Sequence, residues 1–254
     1  ANAALALDPS NIDSTLILAA EKLSKNDPEA AIDILDTGLS HSKGNAQLQV
    51  IKIRALETLG KTADITQVFQ ELIADNPDNG AFRKSLVRFY LKNGQQNEAE
   101  KEIRKLAAEH PEDVTANLDV IRFVKTLKGD EAATAELEQL IESYPDVVDY
   151  RFALATLAEA AGKDEKAMVI LGTIIDKAST IEDEIAARNK LAQLHFARGE
   201  YEEARAYAKN ALELDPTSTD ALVLIGAMQI DEGKIDSAIS TLRSSMRQQP
   251  ESVR

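Results

Sequence analysis

The stretch Ile185–Ser218, IAARNKLAQLHFARGEYEEARAYAKNALELDPTS, holds two helical patterns and the two breaks that bound them. Leu191 and Ala192 belong to the first pattern, Gly199 ends it, Tyr201 and Ala204 open the second, and Leu214-Asp215-Pro216 closes it. Apolar residues recur at i, i+3, i+4 and i+7, the spacing that gives a helix one apolar face. Glycine after one helix and proline after the other is the punctuation that two antiparallel helices, A and B, require.

Outward from this stretch the same punctuation recurs. Pro9, Pro77, Pro111, Pro145, Pro216 and Pro250 follow one another at intervals of 68, 34, 34, 71 and 34, that is, at multiples of 34 with three added once. Gly60, Gly94, Gly162, Gly199 and Gly233 each lie half of that interval before a closing site, as Gly94 does before Pro111 and Gly199 before Pro216. A helical unit returning at this interval is a solenoid period. The expected repeats are 12–45, 46–79, 80–113, 114–147, 148–184, 185–218 and 219–252, followed by a tail at 253–254. In the closing site the first repeat has Lys43 and Gly44, and the fifth has Ser179.

Small residues mark where helix A meets helix B. The early helix B position holds Ala31, Ala99, Ala133, Ala167, Ala204 and Ala238, and its partner on helix A holds Ala19, Ala155, Ala192 and Gly226. Small side chains at a crossing let helices approach to the short end of the 8–10 Å range. The second repeat carries Ile53 and Ile65 at both places, so its helices are expected to sit further apart; Val87 and Ile121 enlarge the helix A position in the third and fourth.

Period, turn glycine, helix B alanine and closing proline together resemble the tetratricopeptide repeat over residues 12–252. That resemblance implies an all-α, right-handed superhelical solenoid of antiparallel helix pairs, with about seven repeats and helices A lining a concave face where a peptide or partner segment docks. The family's usual Trp is absent throughout, and its helix A Tyr survives as Tyr90. Residues 1–11 match the end of a helix B, so the chain is expected to start inside a preceding repeat of a longer array.

The composition narrows the function. With 29 Lys plus Arg against 43 Asp plus Glu the net charge is −14, which disfavours phosphate backbones and anionic lipid. The absence of cysteine removes disulfides, thiolate metal sites and cysteine nucleophiles, and leaves the compartment, cytoplasmic or periplasmic, undecided. No apolar run reaches the length of a membrane span.

Helix A positions expected to face the groove fall into two sets. In the second to fourth repeats they include Arg54, Lys84, Arg88, Lys92, Arg122 and Lys125, a cationic strip suited to an acidic ligand. In the fifth to seventh they include Phe152, Asn189, Phe196, Val223 and Ile230, a more apolar stretch, although a Phe between helices also serves as core. Relatives that clamp a terminal carboxylate use Lys and Asn on one helix A and Asn on the next. Here Lys84 matches, but Arg88 and Asp119 stand at the Asn positions, which argues against that clamp.

Nothing in the sequence points to catalysis. His41, His110 and His195 lie in different repeats at no metal-ligand spacing, and Glu182-Asp183-Glu184 and Glu202-Glu203 sit where helix starts favour carboxylates. No phosphate-binding loop or nucleophile elbow is present. The expectation is a non-catalytic scaffold without cofactor that binds a protein or peptide, with end-to-end self-association of exposed repeat faces as an accompanying possibility. The alternative is a recognition arm of a larger enzyme or a bacterial envelope export machine, which long, acidic, Ala-rich arrays of this family suggest.

Overall fold

A computed structural model describes residues 1–248. Pro250, the end of the seventh repeat and the tail 253–254 lie outside the described residues. Among those described, every regular element is a helix: α1 (Asn2–Leu7), α2 (Ile12–Ser24), α3 (Pro28–His41), α4 (Ala46–Thr58), α5 (Thr62–Asp75), α6 (Gly80–Lys92), α7 (Gln96–Glu109), α8 (Val114–Lys128), α9 (Asp130–Ser143), α10 (Val148–Ala160), α11 (Asp164–Lys177), α12 (Ile181–Ala197), α13 (Tyr201–Leu214), α14 (Thr219–Asp231) and α15 (Ile235–Gln248). The chain forms two compact units, one to Ala116 and one from Asn117, with the boundary inside α8.

Helix starts show the period in their hydrogen bonds. Asn11 accepts from the Ser14 amide, Asn45 from Leu48, Asn79 from Ala81 and Asp113 from Ala116, at 2.8, 3.1, 3.2 and 3.0 Å. Each satisfies an amide that a helix N-terminus leaves without an intrahelical partner, and the four caps recur one period apart. Between helices A and B the turn needs a left-handed residue. Gly94 supplies it with φ of 72°, and in the first repeat Asn26 takes the equivalent place with φ of 57°, which Asn tolerates better than most residues.

Within the first compact unit α2 packs on α3, α3 on α4, and α2 also on α4. Ala19, Ala31, Leu35 and Leu48 form its N-terminal core and none exposes measurable surface. In the second, Ala155, Ala167, Leu171, Ile174, Ala187 and Leu191 join α10, α11 and α12. Ala192, Ala204, Ala208, Ala211, Ala221 and Met228 then join α12, α13 and α14. Each core is shared by three successive helices, the layering expected of a repeat stack in which a unit buries its apolar face only against its neighbours.

The crossing alanines Ala31, Ala99, Ala133, Ala167 and Ala204 are fully buried. At Gly226 a Cβ would lie 2.7 Å from the Leu242 side chain, so the smallest residue is required there. Helices α4 and α5, crossing at Ile53 and Ile65, run close along less of their length than α2–α3, α6–α7, α10–α11, α12–α13 or α14–α15. The two larger side chains at that crossing account for the shorter stretch of close approach.

The insertion that lengthens the period once appears at the start of α12. This helix begins at Ile181 and is the longest of those described, with Thr180 accepting from the Asp183 amide at 3.1 Å. An added turn of helix therefore precedes Ile185.

Candidate protein-binding face

The cations of helices A divide between the two compact units. In the first, Arg54 on α4 and Lys84, Arg88 and Lys92 on α6 are all exposed. Arg54 and Arg88 lie one period apart and occupy the same position of successive helices A. Lys84, Arg88 and Lys92 follow one another at i, i+4 and i+8 and share one side of α6. Val50, 45% exposed, precedes Arg54 by one turn on α4, and Leu91, 38% exposed, lies beside Lys92. The resulting face is basic with apolar contacts interspersed.

Acids temper this strip. Lys92 Nζ lies 3.7 Å from Glu57 of α4, tying the two helices A together, and the Arg88 guanidinium donates to Ser85 Oγ at 2.9 Å. In the second unit Arg122 pairs with Asp119, and Lys125 pairs with Asp130 at 3.1 Å. Arg122 is exposed and Lys125 half-buried, and ion pairs this close to solvent are weak and screened by salt.

The apolar set is sorted by burial. Val223 and Ile230 on α14 are 47% and 49% exposed. Phe152 is half-buried against the core of α10 to α12, and Phe196 against the core of α12 to α14, with its ring edge-on to Tyr201 at 5.5 Å. Asn189 is turned inward: it is 7% exposed and its amide donates to Ser218 Oγ at 3.1 Å. Ser218 is the residue before α14, and with its hydroxyl engaged by Asn189 the helix start has no side-chain cap. Asn189 therefore joins neighbouring repeats.

Sequence reasoning passed over Arg83, the residue before Lys84. It is half-buried and clamped between Glu102 at 2.8 Å and Glu109 at 2.6 Å, while Lys105 bonds the other oxygen of Glu102 at 2.7 Å. These side chains line a cleft of about 530 Å³ with Gln70, Asp78 and His110. Its register offered a signal: Gln49, one period earlier, is buried and donates to Asp75 at 3.2 Å, and Asp75 precedes Glu109 by the same interval. A polar residue at this place thus links the start of a helix A to the end of its helix B.

The titratable groups that stand out belong to a structural node. Glu200 accepts from the His195 ring at 2.6 Å, and that ring stacks on Tyr207 with centroids 5.4 Å apart. Arg198 bonds Glu200 at 2.9 Å and Glu165 of α11 at 2.7 Å. The His195 hydrogen bond, then that of Arg198, holds the Glu200 carboxyl below its ordinary 4.5, and Arg198 does the same for Glu165. A carboxyl lowered by folding stabilises the fold fully above its unfolded value and ceases to as pH falls through the folded one. Arg198→Met is accordingly expected to lower the melting temperature near neutral pH, with the difference from wild type closing as pH falls below about 4.5. Thermal melts across that range check it.

Among the described residues no three His, Asp or Glu side chains gather as a metal site, and no helix is long and apolar enough to cross a membrane.

Two sequence profiles, both described as tetratricopeptide repeat, match the chain. One covers residues 56–116 and 195–254, and the other covers 128–179. No curated protein matches the sequence. Among solved structures the chain is similar to Naa15/Naa10 bound to HypK-THB, with TM-score 0.59 and 19% identity over 96% of this chain and 38% of that one. It is also similar to MamA, with TM-score 0.47 and 16% identity over 64% and 94%. A tetratricopeptide repeat protein from Parabacteroides merdae ATCC 43184 gives 0.40 and 17% over 96% and 89%. At these identities the Naa15/Naa10 likeness concerns the fold.

Proposed function

The chain belongs to the tetratricopeptide repeat family, and from that premise we propose that it is a scaffold whose helix A faces hold segments of partner proteins. In the first compact unit the segment is acidic. One observation carries this reading: in a chain of net charge −14, Arg54 and Arg88 stand exposed at one position of successive helices A, with Lys84 and Lys92 beside them. A local surface of one sign within a protein of the other raises the concentration of an oppositely charged ligand and orients it. The Naa15/Naa10 structure bound to HypK-THB shows a fold of this kind within a protein assembly.

The test is a titration of a fluorescent Glu-rich peptide carrying spaced leucines. Arg54→Glu with Arg88→Glu is expected to weaken binding at least about tenfold, since both charges become repulsive, and to flatten the salt dependence. Both side chains are exposed, so circular dichroism should be unchanged. Equal affinity of the double variant and wild type across the salt series would remove this face from the account.

A further inference from the structure

We infer that the exposed stripe of α14 in the second compact unit docks a basic amphipathic helix of a partner protein. This rests on helix A faces being the binding faces and gives this one an occupant opposite in charge to that of α4 and α6.

Asp220, Val223, Ala227, Ile230 and Asp231 follow the helical repeat along one side of α14, a stripe about 16 Å long at 1.5 Å per residue. Its middle is apolar, and both ends are exposed aspartates with no ion pair among the described residues. The other sides of α14 are occupied: Ala221, Leu222, Leu224, Ile225 and Met228 are buried. The outward stripe is thus surplus to what the repeat's own core uses.

The apolar surface continues past the turn. In the preceding repeat Phe196 near the end of helix A meets Tyr201 at the start of helix B. Ile230 and Ile235 occupy those two places in this repeat, and Ile235 is 51% exposed. Asp236 adds a third exposed carboxylate at this end. The nearby cation Lys234 is neutralised by Glu232 at 2.8 Å, and Glu232 also holds Arg205. An apolar stripe flanked by unpaired carboxylates complements a helix with leucines on one side and lysines or arginines beside them. An acidic segment would meet repulsion at both ends.

Three peptides test this by fluorescence anisotropy. One is a Lys/Leu helix with leucines at i, i+3, i+4 and i+7, one has the same composition scrambled so that no apolar face forms, and one has Glu in place of Lys. The amphipathic Lys/Leu peptide is expected to bind at least about tenfold tighter than the scrambled one. Val223→Asn with Ile230→Asn should abolish that preference, and Asp220→Lys with Asp231→Lys should weaken binding and reduce its salt dependence. Equal binding of the scrambled peptide, or indifference to both double variants, overturns the inference. It also falls if the Lys/Leu peptide does not bind while sedimentation shows self-association that Val223→Asn with Ile230→Asn removes, because the stripe then receives a second copy. Failure here is separable from failure at α4 and α6: the Glu peptide should remain bound by the α14 variants and be lost with Arg54→Glu and Arg88→Glu.

Discussion

Replacing Tyr150 with alanine is expected to cost about 3–5 kcal/mol, the range for removing a large ring from a packed interior. Tyr150 is 1% exposed, its ring lies 6.2 Å from that of Tyr144, and its hydroxyl accepts from the Asn117 amide at 3.0 Å, so one side chain joins the start of α10 to α8 and to the end of α9. Tyr150→Phe keeps the ring and removes one acceptor from Asn117, and should cost nearer to about 1 kcal/mol. In a repeat stack each unit is supported by its neighbours, so the loss should be local before it is global. Amide exchange is expected to accelerate first in residues 117–160, and urea unfolding followed by circular dichroism gives the total. Equal destabilisation by alanine and phenylalanine would show that the hydroxyl, and not the ring, supplies the stability.

The second large effect compares one kind of change at two equivalent positions. Ala204 is fully buried within the alanine core of α12 to α14, beside Ala192 and Ala208. Ala204→Leu should cost about 3 kcal/mol or more, because a close-packed crossing has no room for three added carbons. In the second repeat that position is Ile65, opposite Ile53, where α4 and α5 run close along less of their length. Ile65→Leu should cost less than about 1.5 kcal/mol, since volume is conserved. Melting temperatures of the two variants decide whether crossing distance is set by these side chains. Similar losses at both sites would mean that it is set elsewhere.

The architecture was legible because the fold is held by contacts that repeat in register. A single interval shared by Gly, Ala and Pro is visible in one chain, and the caps Asn11, Asn45, Asn79 and Asp113 show that helix starts carry it too. Helix ends were less legible. The first turn of α12 forms because Thr180 accepts from the Asp183 amide and donates to its carboxylate at 2.7 Å, a local cap that periodicity alone does not reveal. Similarly, α8 continues to Lys128, because its turn glycine is Gly129, one position later than the period would place it.

The candidate face was legible in part. Exposure of Arg54, Lys84, Arg88, Lys92, Val223 and Ile230 followed from helical phase, since phase fixes which side of a helix is outward. The pairing of Lys92 with Glu57 and the inward turn of Asn189 toward Ser218 did not, because each joins helices far apart in sequence. The half-buried state of Phe152 and Phe196 was similarly undetermined: a ring on the edge of a helix's apolar face reaches the core or solvent according to the size of its neighbours, here Ala155, Ala192 and Ala204.

Hydrogen–deuterium exchange of the intact chain, with and without the leucine-bearing Glu-rich peptide, tests the central claim most directly. Slower exchange is expected within 46–58 and 80–92, the helices that carry Arg54 and Arg88, and this protection should vanish in the Arg54→Glu, Arg88→Glu variant. Protection confined to the helix B segments 62–75 and 96–109 with the peptide bound, or unchanged protection in the variant, would contradict binding by the helix A face.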